Sequence, residues 1–336
     1  MSKALTIKDI AKLSGFSTGT VSRVLNNHPD LSPETKEKIE KIIEDHNYQP
    51  NVNAKQLKKT ISSNIVIIVK GYGNILFADL LEQVQGNLSK KREEASVIFI
   101  DENQNEVMRA YQMLLEKKPK GFIFLGGNLE NFRADFKRIS VPCVLLTSDA
   151  SELSFDNLSS FTTNDVSGAA SAIQYLLENN HRRIGIVGGT EDSQITQNRV
   201  KSCIGVLKSH RIRFEDDYYE DSRFSMEGGY ASTIKLLKRH SDISAIFAVS
   251  DTIAVGAIAA IRDSGKRVPE DISIIGFDGI CVGHFIYPRL ATIHQDTQEL
   301  AKRGVDDLLL RIAYHGYGIH EEIPYQLIKG ASIKKI

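Results

Sequence analysis

Residues 6–26 read TIKDIAKLSGFSTGTVSRVLN, and the spacing of their apolar side chains decides how the head of the chain folds. Thr6-Ile7-Lys8-Asp9 has the form of a capping box, and Ile7, Ile10 and Ala11 share one helical face behind it. Ser14-Gly15-Phe16 breaks that helix. Ser17 is a natural N-cap for the next one, whose Val21, Val24 and Leu25 recur at helical spacing. Two helices joined by so short a glycine-containing turn make a helix-turn-helix, whose second helix docks in the major groove of DNA. Asn26 to Asp30 form a loop, and Ser32-Pro33-Glu34 then opens a third helix with an N-cap, a first-position proline and an early acid. That helix runs to about His46, and its Ile39, Ile42 and Ile43 meet Val21 and Leu25 in a small core.

From residue 61 the texture changes. Apolar or β-branched runs recur as IVIIV (65–69), SVIFI (96–100), GFIFL (121–125), VPCVLL (141–146), RIGIVGG (183–189), AIFAVS (245–250) and SIIGF (273–277). Helical-period segments separate most of them, at 77–91, 106–117, 167–179, 252–264 and 297–315. Such alternation signals parallel sheets covered by helices. The strands are too many for one ordinary sheet. The expected fold class is therefore an α-helical helix-turn-helix head plus an α/β body of two doubly wound parallel-sheet lobes.

The chain's 336 residues suit two or three domains, and 41% hydrophobic with 25% charged residues is an ordinary soluble composition. No apolar run approaches the roughly 18 residues of a membrane span. MSKALTIKDIAKLSG lacks the apolar core of a signal peptide, so the expected location is the cytoplasm, with no membrane partner. Cys143, Cys203 and Cys281 lie far apart in apolar stretches, which fits buried free thiols rather than disulfides or a zinc site. No metal or cofactor is expected. Residues 1–60 hold 10 Lys/Arg against 7 Asp/Glu, so a chain of zero net charge carries a basic head on a slightly acidic body. That asymmetry permits nucleic-acid binding by the head.

Starting the second helix at Ser17 turns Thr18, Gly19 and Arg23 outward. Arg23 can give two parallel hydrogen bonds to guanine O6 and N7. Ser17, Thr20, Ser22 and Asn26 are short donors suited to phosphate oxygens. Gly19 in the first turn costs about 1 kcal/mol relative to alanine and offers bases no direct hydrogen bond. A small helical interaction domain with a polar face fits residues 1–47 as well.

TIKDIAKLSGFSTGTVSRVLN, LSPETKEKIEKII and NYQPNVNAKQLKK resemble the DNA-binding head and hinge of the lactose-repressor (LacI/GalR) family. KRVPEDISIIGFDG and GHFIYPRLATIHQD carry the resemblance over essentially the whole chain. It implies a helix-turn-helix domain over 1–48, a hinge over 49–60 and a body of periplasmic-binding-protein type over 61–336. The lobes would take roughly 61–160 plus 292–325, and 161–291 plus the C-terminal end. It further implies that NVNAKQLKK, alone too short to hold a helix in water, folds against a dimer mate in the minor groove. Leu57 would lever the central base step and Ala54 would pack near the groove floor. Lys55, Lys58 and Lys59 would meet phosphates, with Thr6 and Asn51 as further DNA contacts.

The family's ligands are sugars, sugar phosphates or nucleobases, and the resemblance implies an effector site between the lobes. Arg199 aligns with an arginine that forks onto ligand hydroxyls or carboxylates. Asp278 aligns with an acid that accepts from vicinal hydroxyls, and Phe224 with a ring that covers a sugar face. Asn164 and Ser250 fall at further polar positions, and Asp251 either joins them or, preferably, caps the following helix. Arg199, Phe224 and Asn164 also fit plain ion-pair, core and loop-cap roles. Asn74 and Phe77 survive from the family's SNPFF pattern without its proline. The RxxGY pattern becomes Arg199-Val200-Lys201-Ser202-Cys203. Thr147 stands where the family commonly has aspartate, and Gly279 replaces the second acid of GFDD. Losing a carboxylate at Thr147 points away from an ordinary unphosphorylated hexose, toward a more anionic or less hydroxylated ligand.

The leading expectation is a homodimeric, ligand-responsive repressor of transcription. The body alone would also suit a solute-binding component of a transporter, and a sugar or nucleotide enzyme is a third class. No P-loop, Gly-x-Ser-x-Gly elbow, metal cluster or dinucleotide fingerprint supports the enzyme. The closing GASIKKI has no heptad tail, which argues against a C-terminal tetramer bundle while leaving dimer versus tetramer open.

Overall fold

The computed structural model describes Leu5 and residues 7–25, 31–46, 64–190 and 193–336. The chain divides into two units, 1–62 and 63–336.

In the head, Ile10, Val21 and Ile39 are fully removed from water, with Ala11 and Val24 nearly so. Each large side chain so buried contributes roughly 1.5–3 kcal/mol. Three helices form round them: α1 (Ile7–Ser14), α2 (Thr18–Leu25) and α3 (Pro33–Asp45). Phe16, Leu25, Leu31, Ile42 and Ile43 close the rim of this core. Ser32 caps α3 by accepting the Thr35 N–H at 3.3 Å. The turn between α1 and α2 runs through Gly15 at φ +73°, a backbone that a β-carbon would strain.

The body holds two six-stranded sheets. The first contains β1 (Ile65–Lys70), β2 (Ala95–Ile100), β3 (Gly121–Leu125), β4 (Cys143–Leu146), β5 (Leu158–Thr163) and, late in the chain, His320–Ile323. Its main helices are α4 (Ile75–Lys90), α5 (Glu106–Lys117), α6 (Leu129–Asp135) and the late helix Thr297–Tyr314. The second lobe opens with α7 (Asp165–Glu178) and contains β6 (Ile184–Val187), α8 (Gln194–Ser209), β7 (Tyr219–Glu220), α9 (Met226–Arg239) and β8 (Ala245–Ala248). It continues through α10 (Asp251–Asp263), β9 (Ser273–Asp278), α11 (Val282–Phe285) and β10 (Ala291–Gln295). The late elements are then α12 (Thr297–Tyr314), β11 (His320–Ile323) and β12 (Tyr325–Ile328).

The sheet orders are β11-β5-β4-β3-β1-β2 and β12-β10-β9-β8-β6-β7. Each lobe thus repeats the doubly wound order 2-1-3-4-5 with one added edge strand. Only β12 runs antiparallel to its neighbour. The expected runs all form strands, and the expected helices form within two residues of their anticipated starts. Five strands and four helices of the body carry no such expectation, among them β5 and α9.

The chain crosses between lobes three times, after Thr163, Gln295 and Ile323. The second crossing was expected at 292. Residues 291–295 instead remain in the second sheet, paired with β9 from Ala291↔Ile275 to His294↔Asp278. Cys143 and Cys203 are buried, whereas Cys281 is exposed, because the apolar strand before it ends at Asp278 and the chain turns outward.

Arg311 anchors α12 to the first sheet. It is 2% exposed and donates to Asp307 at 2.9 and 2.8 Å, to the Asn157 carbonyl at 3.0 Å and to the Cys143 carbonyl at 2.7 Å. Removing one partner of a buried pair strands the other, so Arg311→Met should cost about 3–5 kcal/mol in urea unfolding. A loss below about 1 kcal/mol would show the pair behaving as a surface one.

Candidate functional site

Helix α2 presents the face expected of a reading helix. Thr18, Gly19 and Arg23 are exposed, Thr20 and Ser22 are half-buried, and Val21 and Val24 face the core. Ser17 caps the helix by accepting the Thr20 N–H at 3.1 Å. Its hydroxyl also pairs with the Thr20 hydroxyl at 2.9 Å, so one proton of the two is spent between them and one is left for a phosphate. A β-carbon at Gly19 would meet nothing closer than Ser17 Oγ at 3.5 Å, so neither crowding nor backbone requires glycine there. Thr6, Asn26, Asn51, Ala54, Leu57 and Lys58 lie outside the described residues, as do Lys55 and Lys59.

In the body, the carboxyl ends of β1, β3 and β6 face a cavity of about 110 Å³ between the lobes. This is where strand order reverses in each sheet, the usual place for a ligand in such folds. The first lobe supplies Lys70, Asn74, Phe77, Glu102, Asn103 and the loop from Gly126 to Asn128. The second supplies Thr190, Ser193, Ile195 and Phe224. Asn74 caps α4 through the Leu76 N–H at 3.1 Å, and Ser193 caps α8 through the Thr196 N–H at 3.4 Å. A roomier groove of about 680 Å³ lies along α8 from Thr196 to Lys208, away from the strand ends.

Of the expected effector residues, Asn74, Phe77 and Phe224 line this cavity. Arg199 and Asp278 are brought together outside its lining. Arg199 is 3% exposed and gives Asp165 hydrogen bonds from Nε at 2.8 Å and Nη2 at 2.7 Å. Its Nη1 donates to the Val249 carbonyl and reaches Asp278 Oδ1 at 3.4 Å. Its plane lies over the Phe277 ring, 3.4 Å from the centroid. Asp278 also accepts from Gln295 Nε2 at 2.7 Å.

Three expected contacts have different partners. Ser250, not Asp251, caps α10, accepting the Ile253 N–H at 3.3 Å. Asp251 instead accepts from the Gly279 N–H at 2.7 Å, the Ile280 N–H at 2.9 Å and the Thr292 hydroxyl at 2.6 Å. Asp251 is the first residue of α10, one place beyond the cap, and its carboxylate reaches the loop after β9. Asn164 caps α7 through the Ser167 N–H at 2.8 Å and donates to both Glu322 oxygens at 3.0 and 2.9 Å. Thr147 is buried, and its hydroxyl has no partner among the described residues.

Two of these positions carry strained backbone: Thr147 at φ +75° and Asp278 at φ +116°. Such conformations cost of order 1–3 kcal/mol each and cluster at functional sites. The sequence reading missed Lys70, Glu102, Asn103, Thr190, Ser193 and the partners Asp165 and Gln295. The signal for Lys70 was a lysine ending the apolar run IVIIVK. Gln295 and Asp165 sit at the crossings, which apolar runs do not mark. Among the described residues no His/Cys/Asp/Glu group could hold a metal, and no helix is long and apolar enough to cross a membrane.

A helix-turn-helix with an exposed arginine, and a two-lobed body with a cavity at its strand ends, define a DNA-binding protein with a ligand-binding body. Residues 6–51 match the model for bacterial regulatory proteins of the lacI family, and residues 173–333 match the periplasmic binding protein-like domain. The chain is 34% identical over 331 residues to the HTH-type transcriptional regulator MalR of Clostridium butyricum, covering 97% of this chain and 98% of that protein. It is 33% identical over 308 residues to the ribose operon repressor of Haemophilus influenzae, covering 91% and 92%. The lac repressor dimer bound to operator and an anti-inducer superposes with a TM-score of 0.77 at 25% identity, covering 99% of this chain and 100% of that one. The chain belongs to the LacI family of bacterial transcriptional regulators.

Burial lifts Asp278 from the ordinary 3.8 to about 6, against Arg199 and Gln295, which favour its charge. Burial likewise raises Asp165 and Asp251. A carboxylate whose folded pKa exceeds its unfolded one binds protons more tightly when folded, so it gains stability as pH falls through that window. Wild type should therefore gain stability relative to Asp278→Asn between pH 7 and about 4, read by urea unfolding at a series of pH values. The opposite trend would mean the Arg199 pair outweighs burial.

Proposed function

We propose that the protein is a homodimeric repressor that acts in the cytoplasm without catalytic turnover. Its domains are a DNA-reading head over 1–48, a hinge over 49–60 and a sensing body over 61–336. The observation that carries this reading is α2, where Arg23 and Thr18 are exposed on the face opposite buried Val21 and Val24. Two such heads, related by a two-fold axis, read a pseudo-palindromic operator. Ser17, Thr20 and Ser22 meet phosphates, with Thr6, Asn26 and Asn51. Hinge residues Ala54, Leu57 and Lys58 engage the minor groove. The dimer-on-operator form of the lac repressor supports this arrangement.

The effector is a sugar-like metabolite held between the lobes. Asn74, Phe77 and Phe224 contact it in the cavity, while Thr147, Asn164, Arg199, Ser250 and Asp278 shape or join the site from the strand and helix ends behind it. The name of the ribose operon repressor, at 33% identity, favours a carbohydrate. Ligand binding changes the angle of the lobes and hence the pairing of the two hinges, a coupling that is reciprocal between the sites.

Arg23→Ala should relax base preference at one position of each half-site and cost roughly 1–3 kcal/mol in operator affinity. Gly19→Ala should leave the preference unchanged, since the glycine offers nothing to a base. Binding measured across operator variants separates the two, and an unaltered preference in Arg23→Ala would refute this docking of α2. A thermal-shift screen of sugars and sugar phosphates, followed by operator binding with each hit, tests the effector. Operator affinity indifferent to every ligand the body binds would overturn the coupling.

A further inference from the structure

We propose that the effector is a sugar bearing an anionic group, a carboxylate or a phosphate, and that Lys70 receives that group. The inference rests on reading the interlobe cavity as the effector site. Among the described residues that line it, Lys70 is the sole cation. Arg199, whose fork would suit a ligand carboxylate, is committed to Asp165, Asp278 and the Val249 carbonyl.

Lys70 ends β1, five of whose six residues are buried and apolar. A charge in that place requires a partner, and Glu106 provides one: Lys70 Nζ lies 2.5 Å from Glu106 Oε2. Glu106 is fully buried and also accepts the Asn128 N–H at 2.6 Å and Asn131 Nδ2 at 3.0 Å. Its oxygens are thus well satisfied, and they fix the ammonium at the cavity wall. One of the three ammonium donors is spent on Glu106, which leaves two for a ligand. The side chain is 13% exposed, so little water competes for them.

Two helix ends add donors at the cavity, where the other charged lining residue among those described is Glu102. Helices α4 and α8, each of 16 residues, begin at Asn74 and Ser193 in the cavity lining, so their positive ends face it. Glu102 on the same wall is an acceptor and suits hydroxyls rather than a second anion. One anionic group together with several hydroxyls describes a sugar acid or a sugar phosphate.

The test uses the full-length protein and matched ligands: a neutral sugar, the corresponding sugar acid and the corresponding sugar phosphate, each titrated by calorimetry. Galactose, galacturonate and galactose 6-phosphate form one set; glucose, gluconate and glucose 6-phosphate form another. A charged member should bind roughly tenfold or more tightly than its neutral parent, the gain expected of a charge-assisted hydrogen bond. The acid and phosphate arms distinguish the two sources of charge. Lys70→Arg should keep the preference and Lys70→Met should abolish it. The wild-type comparison needs no variant, so it holds even if Lys70→Met fails to fold. A neutral sugar binding as tightly as its charged forms, or a folded Lys70→Met that keeps the preference, overturns the role of Lys70 and leaves the cavity as effector site. Binding of no member of either set removes the sugar reading of the cavity, and this inference with it.

Discussion

Arg199 ties together the parts of the body on which the cleft depends. Its guanidinium joins the start of α7 through Asp165, the exit of β8 through the Val249 carbonyl and the end of β9 through Asp278, while its face rests on Phe277. A buried cation without these partners would carry a desolvation penalty of several kcal/mol. With them, three strand and helix ends are held to one planar group of fixed geometry. The arrangement is not neutral, since two carboxylates share one guanidinium. Burial prevails over the guanidinium's attraction at Asp278 and lifts its pKa, and the neighbouring Asp165 charge adds to the rise.

The same network reaches the segments where the chain passes between lobes. Asp278 accepts from Gln295, the last residue before the second crossing, and Asp165 follows directly on the first. Asn164, also at the first crossing, grips Glu322 just before the third. Thr297, beyond the second, donates to Asp79 of α4 at 2.6 Å. All three crossings are therefore bound into polar contacts. A ligand shifts a lobe angle only through contacts that differ between the two arrangements. Asp278 joins the cluster round Arg199 to the residue at which the chain leaves the second lobe.

The sequence was most legible where one physical rule governs. Helical spacing of Ile10, Val21 and Ile39 marked the head, and uninterrupted apolar runs marked the central strands, which are buried on both faces. Legibility failed where tertiary packing overrides local preference. β5 reads LSSFTT, yet every residue is buried, because Ser159 accepts the Ile319 N–H and Ser160 meets both the Ala150 N–H and His320. α9 contains Gly228-Gly229, which look like breakers. Gly229 lets α9 lie so close to α10 that a β-carbon there would overlap Ile253, and one on Gly256 of α10 would overlap the Met226 carbonyl. At the cleft, residue types were readable but partners were not. Asp251 reads as a cap because capping is local, whereas Gly279, Ile280 and Thr292 are more than 25 residues away.

The two walls of the cleft use one device with opposite electrical results. In each lobe a buried acid holds a loop at the carboxyl ends of the strands: Glu106 takes the Asn128 N–H, and Asp251 takes those of Gly279 and Ile280. The second loop is held firmly enough that Ile280 joins the apolar core of the first lobe. In the first lobe Lys70 offsets Glu106 and still has donors to spare. In the second, Asp165, Asp251 and Asp278 have one guanidinium among them, so acceptors are in surplus. Those acids lie behind the cavity lining, whose own second-lobe members are Thr190, Ser193, Ile195 and Phe224. Two lobes of the same topology thus present different chemistry to the cavity between them: Lys70 and Glu102 on one side, hydroxyls and apolar side chains on the other.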